Sequence, residues 1–141
     1  MIAAPAVTTE LRFLLLTATL TGLLWIPVVI GYVSARGFLR SADYTAAPTS
    51  PLPNWVARAN RAHLNAVENL APFASVVLVA QAIGFSTAVT QSCAVIYFCA
   101  RMAHAVIHIS GFGRFQARTV AFSVGWAAFI TFAVVLVRHA G

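Results

Sequence analysis

Lysine is absent from this chain, and aspartate and glutamate together number three among 141 residues. Charged residues make up 9% of the sequence, where ordinary soluble domains carry about 25%. So few charges cannot cover a surface that faces water on all sides. Hydrophobic residues reach 60% and the mean hydropathy is +0.85, which places the chain in a membrane. The positive balance, nine arginines for a net charge of +6, does not point to nucleic acid. The arginines are spread over helix ends and loops, with no basic stripe and no interleaved aromatics. Cysteine is scarce too. Cys93 and Cys99, six apart, fall on different faces of a helix and make neither a CxxC pair nor a metal-ligand spacing, so they read as small apolar fillers.

What is present is four apolar helices, expected at about 11–35, 54–83, 88–109 and 118–138. The run from Phe13 to Ala35 has 23 uncharged residues, a spanning length rather than the shorter core of a signal peptide. Pro27 lies near its middle and should kink it, freeing the carbonyl of Leu23. The connection 36–53 carries Arg36, Arg40 and Asp43 and then a proline-rich stretch that cannot continue a helix. Asn54 as cap, or Pro53 as first-turn residue, would start the second helix. That helix is too long for the hydrocarbon core, so its first two turns, with Arg58 and Arg61, should reach the headgroups. The turn 84–87 has no charge, and Gly111-Phe112-Gly113 separates the third helix from the fourth. No internal repeat or second domain is visible, so residues 1–141 read as one all-α domain, a left-handed membrane four-helix bundle with antiparallel neighbours. The arginines cluster in the first and third connections, which the positive-inside rule places in the cytoplasm, with both termini outside.

Two polar stripes enter this apolar chain. Arg61, Asn65, Glu68 and Pro72 are spaced four, three and four, and so are Tyr97, Arg101, His104 and His108. Residues three and four apart share a helix face. Two helices joined by a short turn run side by side, so the stripes should converge near the arginine-rich end. An ionisable group at that depth marks a functional site by default, although an Arg–Glu pair can also act as mere interhelical glue. Glu68 alone facing Arg61 and Arg101 leaves a positive excess, which an anionic ligand would complete. Pro72 releases the carbonyl of Glu68 and either shapes this pocket or reflects packing irregularity. A metal held by His104, His108 and Glu68 is disfavoured, because there is no HExxH and the neighbouring arginines repel a cation.

The run Arg61-Ala-His-Leu-Asn-Ala-Val-Glu-Asn-Leu-Ala-Pro-Phe73 resembles the family of membrane-associated proteins in eicosanoid and glutathione metabolism (MAPEG). The Ala-Arg-x-x-His-x-x-x-His stretch of the third helix falls where that family has its other polar stripe. The resemblance covers essentially the whole chain and is strongest to the short bacterial members. It implies a homotrimer in the inner membrane, with glutathione bound between subunits near the cytoplasmic side and a lipophilic second substrate arriving from the lipid. It also implies glutathione contacts from Arg61, His63, Asn65, Glu68, Arg101, His104 and His108. The thiolate-stabilising arginine at the start of the fourth helix corresponds to Arg118, with Arg114 as the alternative. Phe122 and His108 stand where other members carry tyrosine, so two hydroxyls are missing. The leading functional reading is a glutathione transferase or peroxidase acting on lipophilic electrophiles or lipid hydroperoxides. A binding protein that keeps the pocket without the chemistry is the alternative, and a small transporter is disfavoured by the single carboxylate and the lack of an inverted repeat.

Overall fold

Thr8 opens the first helix, its hydroxyl accepting from the Leu11 amide at 3.4 Å. In the computed structural model, which describes residues 7–38, 40, 41, 45 and 51–141, the first span consists of two helices, α1 (Thr9–Leu23) and α2 (Trp25–Arg36), separated at Leu24. The break is one residue past the carbonyl that Pro27 leaves without its donor, so the proline explains it. Three further helices follow: α3 (Asn54–Ala82), α4 (Ala88–Ser110) and α5 (Ala117–Ala140), the last preceded by a 3₁₀ turn at Arg114–Gln116. Each of the four spans is long and apolar enough to cross a membrane. The chain is an all-helical integral membrane protein.

Local chemistry sets the boundaries. Pro53 takes the cap position of α3, where its carbonyl accepts from the amides of Val56 at 2.9 Å and Ala57 at 3.3 Å, and Asn54 is the first helical residue. Neither sequence alternative for this helix start is realised, since proline's fixed φ suits the cap without a side-chain acceptor. At the other end Gly84 adopts φ +69°. The Phe85 amide reaches back to the Ala80 carbonyl at 2.8 Å, the pairing that closes a helix through a left-handed glycine. Thr87 and Thr90 then cap α4 reciprocally.

Contacts along the helices fix their directions. Thr8 bonds Gln81, His63 meets the Thr21 carbonyl, and Gly31 lies against Val56, so the first span runs antiparallel to α3. Asn65 pairs with Arg101 and Phe73 with Tyr97, so α3 and α4 are antiparallel as well. His104 lies against Phe122, and Phe85 stacks on His139 near the far end, which gives α4 and α5 the same relation. The main core joins Phe73 and Val77 of α3, Ala94 and Tyr97 of α4, and Ala128, Phe132 and Leu136 of α5. Small residues allow close approach, as expected where lipid removes the hydrophobic drive between helices. A Cβ on Gly31 would overlap both methyls of Val56.

One buried group lies outside the sequence expectations. Glu10, to which the sequence pattern assigns no role, is 2% exposed. Its Oε1 accepts from Ser86 Oγ at 2.9 Å and from Thr90 Oγ1 at 2.6 Å. Among the described residues hydroxyl donors, and not an arginine, hold this carboxylate at the end of the bundle opposite the arginine-rich loops.

Candidate functional site

The two polar stripes meet, but through a division of labour. Arg101 is 5% exposed and donates from Nη2 to the Asn65 Oδ1 at 2.6 Å and to the Asn65 carbonyl at 3.1 Å. Its guanidinium also lies 5.7 Å from the Phe122 ring centre. A buried cation needs acceptors, and Asn65, rather than Glu68, supplies them. One turn further along α3, the Tyr97 hydroxyl donates to the Asn69 carbonyl at 2.8 Å and its ring stacks on Phe73 at 3.9 Å. Helix α3 passes through Pro72 without a break, clamped on both sides of it by these contacts from α4.

Above Arg101 lies an inner chamber of about 460 Å³. Helix α3 contributes Arg61, Leu64, Asn65 and Glu68; α4 contributes His104 and His108; α5 contributes Arg118, Thr119 and Phe122. An adjoining outer chamber of about 600 Å³ lies towards the Gly111–Gly113 turn. The two share Arg61, His108, Arg118 and Thr119. Arg61, Glu68 and Arg118 are exposed within the protomer. Among the described residues neither of these arginines has a hydrogen bond or ion pair. His104 packs edge-on against His108 at 5.6 Å between ring centres. The His108 Nδ1 is buried and without a hydrogen-bond partner among the described residues. The site therefore offers two free cations, one carboxylate, an amide and an unfilled ring nitrogen around one space.

Of the residues singled out from the sequence, Arg61, Asn65, Glu68, His104, His108 and Arg118 come together here. Two do not line the space. Arg101 sits behind it and fixes Asn65. His63 faces the first span: its Nδ1 lies 3.2 Å from the Thr21 carbonyl, and its ring is 5.4 Å from Trp25. It secures the helix next to the break at Leu24. Arg114 lines neither chamber, whereas Arg118 lines both. The residue between them, Gln116, has φ 50° and ψ 31° at the cap of α5, and this left-handed residue sets the direction in which that helix leaves the turn. Thr119 and Arg58 were not legible as site residues, the first because threonine is common in membrane helices. Arg58 also has a structural task, since its Nε donates to the Ile109 carbonyl at 3.1 Å and so caps the end of α4.

Across residues 14–138 the sequence matches the family model described as the MAPEG family. The chain belongs to the MAPEG family. The matched stretch includes both polar stripes and every residue of the inner chamber. Among curated proteins, none matches this MAPEG chain.

Proposed function

We propose that this MAPEG protein binds glutathione and transfers its thiol to a lipophilic electrophile, or uses it to reduce a lipid hydroperoxide. The observation that carries the reading is the inner chamber, where two unpaired arginines stand with one carboxylate and one amide. Glutathione bears carboxylates, an ammonium and a thiol, and the donor set has a complement for each. Arg61 and Asn65 take a carboxylate, Glu68 takes the ammonium, and Arg118 faces the sulfur. Arg118 is in the first turn of α5, where the helix dipole adds to its charge. A cation beside a thiol favours the thiolate, the nucleophilic form. In the transferase reaction the sulfur attacks an electrophilic carbon and the leaving group departs. In the peroxidase reaction two glutathiones become the disulfide while the hydroperoxide becomes an alcohol and water. Arg101 acts as a positioning residue through Asn65, and His63 through the first span.

Glu68 and Leu64 are exposed on the protomer flank. A carboxylate there is costly in lipid, which supports a homotrimer in which a neighbour covers it. In this reading residues 1–141 form one domain in a bacterial inner membrane, with the arginine-rich connections cytoplasmic and both termini outside. The test is thermal unfolding of the purified protein with glutathione, its sulfur-free analogues and other thiols. Glutathione at a hundred times its dissociation constant should stabilise the fold by about 2.7 kcal/mol. No stabilisation by any thiol would remove the proposal. Phe122 favours one second reading: its apolar ring lies among the polar lining, and a bound thiol without a hydroxyl partner there leaves binding without turnover. Stabilisation by glutathione with no conjugation and no hydroperoxide reduction would select that reading.

A further inference from the structure

The outer chamber has a different chemistry from the inner one. Three arginines line it, Arg58, Arg61 and Arg118, and among the described residues no aspartate or glutamate does. Its position in depth is set by α3. That helix has 29 residues, about 43 Å at 1.5 Å per residue, against a hydrocarbon core of about 30 Å. The residues after Arg61 are uncharged apart from Glu68 as far as the turn at Gly84, so the excess length lies at the Asn54 end. The first two turns of α3 wall the outer chamber, which puts it among the phospholipid headgroups.

At that depth the abundant anion is the lipid phosphate. Guanidinium groups bind phosphate oxygens in pairs of parallel hydrogen bonds, and basic pockets between membrane helices hold anionic headgroups. The start of α5 at Ala117 opens into the same chamber, so the positive end of that helix's dipole adds to the three side chains. We propose that the outer chamber is a binding site for the phosphate of an anionic phospholipid headgroup. The site is separate from the thiol chamber but shares Arg61 and Arg118 with it. A headgroup seated there neutralises arginines that the inner chamber also uses, so lipid composition sets the affinity of the inner chamber for its own anion.

The test uses the full chain in lipid nanodiscs, either phosphatidylcholine alone or with added phosphatidylglycerol. Two variants target residues that line only the outer chamber. Asn54→Asp adds a negative charge at a helix start, where it favours folding. Arg58→Gln removes a cation, although it also removes the cap on Ile109. Phosphatidylglycerol should raise Tm of the wild type by roughly 5 °C and be retained in native mass spectra. Asn54→Asp should lower that retention several-fold, and Arg58→Gln should lower it about tenfold. Stabilisation of Asn54→Asp by glutathione, measured in phosphatidylcholine, should persist. Equal retention of phosphatidylglycerol by the wild type and Asn54→Asp overturns the site. So does loss of the glutathione response in Asn54→Asp, because the two chambers would then be one. Inorganic phosphate added to phosphatidylcholine discs separates the sources: if it reproduces the full shift, a soluble phosphate is the ligand and the lipid assignment falls. Failure of glutathione to bind the wild type leaves the lipid result readable, since the two responses are recorded separately.

Discussion

Arg118 and Arg114 flank a left-handed Gln116, and that one residue decides which of them reaches the chambers. Arg118→Ala should keep the fold, since the side chain is exposed and has no hydrogen bond to lose among the described residues, yet it should abolish the ultraviolet absorbance of a bound thiolate. The thiol would return towards its ordinary pKa, near 8.5 for free cysteine. Arg114→Ala should leave that signal intact. If the losses are reversed, Arg114 is the cation that matters. Arg101→Ala should behave in the opposite way and destabilise by about 1.5–3 kcal/mol, the loss expected for hydrogen bonds to a charged group, read as a lower Tm without ligand. The stripes of α3 and α4 were legible because spacing alone puts Arg61, Asn65, Glu68, His104 and His108 on facing surfaces. Spacing could not separate a residue that lines a cavity from one that holds the lining in place. Arg101 and His63 are of the second kind, and their partners, Asn65 and the Thr21 carbonyl, are chosen by three-dimensional packing. Glu10 escaped notice because its donors, Ser86 and Thr90, are far away in sequence.

Helices with the same breaker behave differently in this bundle. Pro27 splits the first span at Leu24, while Pro72 leaves α3 continuous. The sequence shows both prolines and both freed carbonyls, Leu23 and Glu68. It does not show that α4 grips α3 from Asn65 to Phe73, whereas among the described helices α2 packs on α3 and α1 alone. That contact depends on Gly31, where there is no room for a side chain against Val56. Gly31→Leu should therefore push α2 off α3 and destabilise by about 1–3 kcal/mol, typical of overpacking. Thermal unfolding measures the loss. A variant of wild-type Tm would mean that the close approach contributes nothing. Because α2 contributes no residue to either chamber, the glutathione response should survive the substitution at temperatures below its new Tm.

The molecule as a whole is polarised: Arg36, Arg58, Arg61, Arg114 and Arg118 lie towards one end, while Arg12 and Arg138 share the other with the polar side chains of Thr8, Gln81, Ser86 and Thr90. If the arginine-rich connections face the cytoplasm, a reporter fused after Gly141 should be active only outside it, and cytoplasmic activity would reverse the orientation. The exposed flank at Leu64 and Glu68 leads to an expected trimer in mild detergent, measured by native mass spectrometry. A monomer that binds glutathione with undiminished affinity would show that no neighbour is needed. The hydroxyl end adds a consequence in time. Thr90 follows Glu10 by 80 residues, and at 5–20 residues per second a ribosome takes about 4–16 s to make that interval. For those seconds the carboxylate has no donors inside the bilayer, so it stays in water until the third span arrives. The first helix to be synthesised thus settles only once the third span has begun to arrive. A nascent chain halted before Ser86 should leave position 10 open to a water-soluble reagent, and one extended past Thr90 should close it.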